Sequence, residues 1–486
     1  MIGSAILAAY GLVLCGLLAF SLHRGWLVLL YRRLGQRSDC FRDSCGELPA
    51  VTVQLPIYNE RFVVERLIDA VCGLDYPHDL LEIQVLDDST DETVALARRR
   101  VEHHRRNGVD IKHIRRGRRT GYKAGALAFG MTEARGEFVL ILDADFVPGV
   151  DLLKKLLPPF ADPAVGVVQA RWGHLNERSS WLTRAEALLL DGQFHIEHVA
   201  RSAAGLFLNF NGTAGMWRAA CLRDAGGWQA DTLTEDLDLS YRAQMRGWRF
   251  VYLPNVVVPA ELPQRVRAFK TQQARWAQGS MQTARKLLPT LLRGDWPWRI
   301  KLEALAHLTG HLAAPLTVAL TLLVFPAVIV RFQQGWPLLL LVDLIFFACA
   351  MGPLSSYYAE TLRSRGQQPW PNLLLSIPLV MALGIGLSVN NSRAVFVGLF
   401  DRRPAEFVRT PKGGDTRSGY RATNNGWATA LETLLAVYLA LAVGYALING
   451  LFASVPFLML IQNGFAVVAV ASLAEPRGRR VSRAHS

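Results

Sequence analysis

No CxxC pair occurs in the chain, and its six cysteines (Cys15, Cys40, Cys45, Cys72, Cys221, Cys349) are scattered through 486 residues. That spacing excludes the common zinc and dithiol redox motifs. Free thiols in a reducing compartment are the simpler reading, for Cys40 and Cys45 as well. No lysine or arginine precedes the first apolar run, Ile2 to Leu22, and the run itself carries no charge. A cleaved secretion signal would open on basic residues, so this run reads as an anchor. Charged residues make up 19% of the chain against 51% hydrophobic, a balance that excludes intrinsic disorder.

What is present is unevenly spread. The net charge is +13 and the mean hydropathy +0.19, with apolar residues gathered towards both ends and charge in the middle. The length leaves room for about three domains. A polar domain held between membrane segments follows from this division. Ile2 to Leu22 is long enough to cross a hydrocarbon core of about 30 Å. Arg24, Arg32, Arg33 and Arg37 follow it, so the positive-inside rule puts the next region in the cytoplasm.

Apolar runs resume at 306–330, 336–354, 373–399, 428–450 and 453–473, and Arg477, Arg479 and Arg480 point to a cytoplasmic tail. Five crossings after a cytoplasmic domain would leave that tail outside. One run must therefore lie in the interface or re-enter. The run at 373–399 is interrupted by Pro378, Gly384, Gly386 and Asn390-Asn391-Ser392-Arg393, and is expected to be that element. The expected division is an anchor at 1–35, a cytoplasmic domain at 47–286, an amphipathic interface helix at 287–305 and a membrane pair plus the interrupted element at 306–400. A cytoplasmic loop at 401–427, a membrane hairpin at 428–473 and a tail at 474–486 complete it.

The central region alternates strand-like and helix-like patterns. Val51 to Leu55, Ile83 to Leu86, Ile111 to Ile114, Phe138 to Leu142 and Val165 to Val168 are short and rich in β-branched residues and leucine. Arg61 to Cys72 and Thr90 to His104 carry apolar residues at helical spacing. Such alternation predicts an α/β domain with a mainly parallel sheet covered on both faces. Ligands of such sheets bind beyond the C-terminal ends of strands.

Polar and acidic residues stand at three of those ends: Tyr58-Asn59-Glu60, Asp87-Asp88 and Asp143-Ala144-Asp145. Asp88-Ser-Thr-Asp91, taken alone, is better explained as a helix cap. Asp143 and Asp145 are harder to explain structurally, because side chains at i and i+2 of an extended segment point the same way. A hard divalent ion bridging to a diphosphate would relieve their repulsion. Thr234-Glu235-Asp236 opens an amphipathic helix, with Thr234 a candidate N-cap and the acids favoured by the helix dipole. Gln272, Arg275 and Trp276 fall within one turn of another helix, which an ordinary solvated face would also allow.

In order and spacing, these segments resemble family-2 inverting glycosyltransferases, particularly membrane-integrated cellulose, hyaluronan and mannan synthases. The resemblance runs from about Val51 to Lys412 and includes Asp88, Gly121-Tyr-Lys123-Ala-Gly-Ala-Leu127, Asp143-Ala-Asp145, Thr234-Glu-Asp236 and Gln272/Arg275/Trp276. Phe210-Asn-Gly-Thr213, Gly226-Gly-Trp228 and Asp231-Thr-Leu-Thr-Glu-Asp236 look most like bacterial relatives of plant mannan synthases. Phe407-Val-Arg-Thr410-Pro-Lys412 is similar to the FxVTxK gating loop of cellulose-type synthases, with Arg409 where that pattern has valine.

The resemblance implies a GT-A-type nucleotide-sugar domain inserted between transmembrane helices of a multi-pass protein of the inner (plasma) membrane, with the domain cytoplasmic. It implies a nucleoside-diphospho-sugar donor, UDP-glucose or GDP-mannose, contacted by Tyr58, Glu60, Asp88, Lys123, Asp143, Asp145, Arg275, Thr410 and Lys412. Asp143 and Asp145 would hold Mg²⁺ or Mn²⁺. Asp236 would be the catalytic base, and Gln272, Trp276 and Glu235 would meet a glycan or lipid acceptor. The product expected is a β-linked polysaccharide, passed across the membrane. Synthesis of a glycolipid and a catalytically silent scaffold or transporter component are the rival functions.

Two further features carry less. His195-Ile-Glu-His198 has histidines at i and i+3 but no third zinc ligand. Arg115-Arg-Gly-Arg-Arg119 leads into the Lys123 segment, so phosphate or anionic membrane lipid is preferred over nucleic acid, with a solvated charge run a near second.

Overall fold

The computed structural model describes residues 1–35, 47–335, 339–366, 369–403 and 426–475. Residues 47 to about 265 build a seven-stranded sheet: β1 Val51–Ile57, β2 Leu81–Asp87, β3 Ile111–Ile114, β4 Phe138–Ile141, β5 Val165–His174, β6 Gly215–Arg218 and β7 Arg249–Ala260. Their order is β3-β2-β1-β4-β6-β5-β7. The first four in that order run parallel, β6 is antiparallel to both of its neighbours, and β7 is parallel to β5.

The expected strands are all present, and β6 and β7 add to them. Proline at Pro254 and Pro259 argues against a strand unless it lies at an edge, and β7 is the edge. Pairing between β5 and β7 shifts register around Ala170 and Arg171, opposite the Pro254 region.

Alternation along the strands sorts the two faces. Val51, Val53, Leu55 and Ile57 join Leu67 and Ile68 of the helix Val64–Cys72 in one core. Val139 and Ile141 join Leu127, Trp217 and Leu239 in the core of the other face. That second face also carries a buried polar ladder: Thr52 Oγ1 donates to Glu82 Oε2 at 2.7 Å, Lys112 Nζ to Glu82 Oε1 at 2.7 Å and Gln54 Nε2 to Gln84 Oε1 at 3.0 Å. Parallel pairing places Thr52 opposite Glu82 and Gln54 opposite Gln84, and Lys112, opposite Gln84, reaches Glu82 diagonally. The helix Tyr122–Met131 approaches this ladder through Gly130, where a Cβ would lie 2.5 Å from Gln54 Nε2.

Outside the sheet, the helix Val266–Arg293 runs for 28 residues, past the domain limit expected at 286. It continues because Leu287 and Leu291 extend its apolar face onto Phe207, Tyr241 and Leu308. Among the described residues, four helices are long and apolar enough to cross a membrane: Ile2–Leu34, Trp298–Gln333, Gly426–Ile448 and Phe452–Ala474. Leu12, Leu434, Leu441 and Val470 project from them exposed, as lipid-facing side chains do. A further helix covers Leu339–Ser364, and the interrupted run forms two helices, Ser376–Gly386 and Ser388–Phe400, bent by 47°.

Buried charges join the two regions. Arg201 donates to Glu303 Oε1 at 2.7 Å, and the other oxygen of Glu303 meets His23 Nε2 of the N-terminal helix at 2.7 Å. Lys270 Nζ, on the long helix, donates to both oxygens of Glu432 at 2.7 and 2.8 Å. Asn390 of the bent pair donates to the Lys270 carbonyl at 2.8 Å.

Candidate functional site

Strand ends supply one wall of a cleft, as the parallel order β2-β1-β4 requires. Asp88 follows β2, Tyr58 and Glu60 follow β1, and Asp143 and Asp145 follow β4. The helix Glu235–Met245 brings Glu235 and Asp236 in its first turn, and the long helix brings Gln272, Arg275 and Trp276. Eleven of the thirteen side chains expected from sequence therefore line one cleft. Thr410 and Lys412, with the rest of the gating-like segment, lie outside the described residues.

The loop before β6 organises the centre. Gly212 adopts φ +80°, and its carbonyl accepts from Lys123 Nζ at 2.9 Å. Lys123 Nζ also donates to Asp143 Oδ1 at 2.5 Å. Thr213 Oγ1 accepts the Asp143 N–H at 2.8 Å, and Gln169 Oε1 accepts the Asn211 N–H at 3.0 Å. A Cβ on Gly212 would stand 2.8 Å from Asp236 Oδ2 and 3.5 Å from Lys123 Nζ. The glycine thus lets backbone, ammonium and carboxylate meet. In the sequence, Phe210-Asn-Gly-Thr213 marks only likeness; its local role needs the fold.

Asp145 is almost wholly buried, and its Oδ2 accepts the Glu261 N–H at 3.0 Å. Arg66 pairs with Glu261 at 2.8 Å and reaches the Asp145 carbonyl at 3.4 Å. Neither Arg66 nor Glu261 has a recognisable motif around it, and the β7 strand that ends beside Glu261 is what brings them in. At the other end of the wall, Arg116 grips Asp88 with both arms, Nε to Oδ1 at 3.0 Å and Nη2 to Oδ2. The same guanidinium donates to the Thr120 and Tyr122 carbonyls at 2.8 and 3.0 Å, staking the loop before Lys123.

Electrostatics separate the cations from the acids. Burial opposes charge on Lys123, yet Asp143, Glu235 and Asp236 outweigh it and raise the ammonium's pKa. Burial raises the Glu235 carboxyl to about 7, with the Asp236 charge adding to it and Lys123 and Arg275 opposing. Asp236 is likewise held above its ordinary value by burial, against the pull of Lys123, the Leu237 N–H and Arg275. The charge of Asp236 thus bears on how readily Glu235 ionises. A carboxyl held near neutrality beside phosphate-matching cations can accept a proton from a hydroxyl group and remain uncharged afterwards.

Caps differ from expectation. Thr234 stands at the N-cap of its helix without a side-chain capping bond. It instead packs on the long helix, where a Cβ on Gly279 would lie 2.5 Å from Thr234 Cγ2. Asp88 caps no helix either; Asp91 Oδ1 accepts the Thr93 N–H at 3.0 Å in the next turn. His195 meets Arg171 at 3.0 Å, and His198 is buried against Phe194 and Tyr252.

Asp143 and Asp145 are hard oxygen donors on one wall. Among the described residues, no three His, Cys, Asp or Glu side chains gather as a full cation cage. That donor set fits an ion which takes one or two carboxylates and completes its shell with phosphate oxygens and water.

Comparison with known proteins agrees with this geometry. The sequence model of the family described as Glycosyltransferase like family 2 matches residues 49–279. Glucomannan 4-beta-mannosyltransferase 2 of Arabidopsis thaliana is 43% identical over 253 residues, 51% of this chain and 47% of its own length. Glucomannan 4-beta-mannosyltransferase 7 of the same plant is 33% identical over 414 residues, 80% of this chain and 71% of its own. With 53% of the rice (Oryza sativa subsp. japonica) glucomannan 4-beta-mannosyltransferase 1 covered, the chain spans about half the length of several curated relatives it matches. Among solved structures, the mannosyltransferase of Pyrobaculum calidifontis in complex with GDP-Man and Mn²⁺ superposes with a TM-score of 0.57 at 24% identity, covering 82% of this chain and all of that one.

Proposed function

The chain belongs to glycosyltransferase family 2, and from that premise we propose that it transfers a hexose from a nucleoside diphosphate with inversion, building a β-linked glycan at a membrane. The observation that carries this reading is the Glu235–Asp236 pair. Glu235 is buried and Asp236 half-buried, both are held above the ordinary carboxylate range, and they share the cleft with Lys123, Arg275, Asp143 and Asp145.

The transfer needs a leaving diphosphate to be stabilised and a hydroxyl proton to be removed. Arg275 offers a planar fork suited to phosphate oxygens, and Lys123 offers a point charge fixed by Gly212 and Asp143. Asp143 and Asp145 would hold Mg²⁺ or Mn²⁺, which would supply Lewis acidity towards the departing diphosphate. Asp236 takes the acceptor's proton as the new bond forms. A base on the side opposite the leaving group gives in-line displacement, hence a β-linkage from an α-linked donor. Trp276 offers a ring face to the C–H surface of an acceptor sugar, and Gln272 a hydrogen-bonding amide. Thr410 and Lys412 would close over the nucleotide, excluding water.

The relatives carry mannosyltransferase names, and the superposed archaeal enzyme holds GDP-Man and Mn²⁺, so GDP-mannose is the first donor to test and UDP-glucose the second. The catalytic domain faces the cytoplasm of the plasma membrane. The bent pair is an element that does not cross fully, and the remaining segments make five crossings. The acceptor is a glycan that leaves through the membrane region.

Purified protein in lipid nanodiscs, given radiolabelled GDP-mannose or UDP-glucose with Mn²⁺ or Mg²⁺, should yield a polymer that chelation abolishes. Asp145→Ala should weaken the metal dependence of donor binding. A single monoglycosyl lipid would replace the polymer reading with glycolipid synthesis. Absence of turnover from both donors under all metals would leave a silent scaffold.

A further inference from the structure

Of the run Arg115 to Arg119, one side chain reaches the cleft without being used by the chemistry above. Arg115 donates to the Ser89 carbonyl at 2.8 Å, and Arg116 is committed to Asp88, Thr120 and Tyr122. Arg118 is exposed. Arg119 lines the cleft, with its guanidinium carbon 3.4 Å from the centre of the Tyr58 ring and 4.9 Å from that of Tyr122. Among the described residues its guanidinium has no hydrogen bond or ion pair, while that of Arg116 holds nearby Asp88. A planar fork with five N–H donors, pressed against two rings and directed at a binding cleft, is left for a ligand.

Its place along the wall identifies which part of the ligand. Asp88, Tyr58 and Asp143 stand at the ends of the neighbouring strands β2, β1 and β4. Strands lie about 4.8 Å apart, so the β2 end is roughly 10 Å from the β4 end that carries the metal-type carboxylates and Lys123. Arg119 is at the β1–β2 end, so a diphosphate held at the β4 end would leave the nucleoside on its side of the cleft. Resting on the transferase reading above, we propose that Arg119 selects the nucleobase, donating its fork to the adjacent N7 and O6 of guanine. Guanine presents two acceptors side by side in that spacing. Adenine puts an amino donor beside N7, and uracil has no neighbouring acceptor pair. The rings of Tyr58 and Tyr122 hold the guanidinium plane, and Arg116 holds the loop.

The test is nucleotide binding by calorimetry, with full-length protein in nanodiscs and GDP, UDP or 7-deaza-GDP, which lacks N7, in Mn²⁺. Wild type should bind GDP at least about tenfold more tightly than UDP, and 7-deaza-GDP should lose most of that advantage. Arg119→Lys should weaken GDP about tenfold, leave UDP within twofold, and no longer distinguish GDP from 7-deaza-GDP. The 7-deaza comparison on wild type stands even if the variant misfolds. Equal binding of GDP and 7-deaza-GDP by wild type, or an equal fall for GDP and UDP in Arg119→Lys, overturns the assignment while leaving the transferase reading intact. Failure of wild type to bind either nucleotide overturns both.

Discussion

At φ +80°, Gly212 turns its carbonyl to Lys123 and leaves Asp236 Oδ2 room beside its Cα. Gly212→Ala should therefore cost far more activity than stability: left-handed strain for alanine is about 1–2 kcal/mol, whereas displacing Asp236 removes the base. Turnover at least tenfold lower in a protein that still binds nucleotide is expected. Asp236→Asn should abolish transfer and leave nucleotide titration largely unchanged. The base must be ionised to work, so activity falls as pH falls through its pKa. Burial raises the Glu235–Asp236 pair, which puts this acidic limb above the ordinary carboxylate range. Arg275 pulls both acids down, so Arg275→Gln should move the limb to higher pH in a kcat/KM profile. At this scale the sequence was informative about acids and cations that fall at strand ends or in one helical turn. It marked Gly212 and Thr213 by likeness alone and was silent on Arg66 and Glu261; the roles of all four depend on contacts between segments distant in the chain.

The long helix Val266–Arg293 sets the position of Gln272, Arg275 and Trp276 through two close approaches. Gly279 admits Thr234, and on another face the helix Ser388–Phe400 comes close enough that a Cβ on Gly398 would lie 2.5 Å from the Gln278 carbonyl. Gly398→Ala should overpack this contact at a cost of about 1–3 kcal/mol. A lower thermal midpoint together with weaker acceptor use, and unchanged nucleotide affinity, is the expected outcome. A second crossing of small residues sits where Gly386 meets Val468 and Gly464 meets Ile385. Gly386 and Gly398, which look like interruptions in the apolar run at 373–399, are thus packing surfaces, whereas Gly384 has open space beside it. Periodicity found the five parallel-type strands and both early helices. It missed β6, four residues long after a left-handed loop, and β7, whose prolines are tolerated only because it closes the sheet edge.

The whole molecule holds together through charges that the apolar runs conceal. Lys270 and Glu432 are 3% and 0% exposed, one on the helix of the cleft and one in a membrane-spanning segment. Removing one partner leaves the other buried and unpaired, a loss of about 3–5 kcal/mol, whereas replacing both with apolar residues of similar size is often neutral. Glu432→Gln should lower the thermal midpoint in nanodiscs, and Lys270→Met combined with Glu432→Leu should restore it. Hydropathy could locate the segments but not this link, since pairing across 162 positions leaves no local pattern.

That link also orders the making of the protein. A charged side chain in a membrane segment costs up to about 3 kcal/mol to insert alone, and the partner of Glu432 arrives on a helix synthesised 162 positions earlier. The Lys270–Glu432 pair can therefore form only late in synthesis, once the hairpin at 426–474 has been made to meet the earlier helix of the cleft.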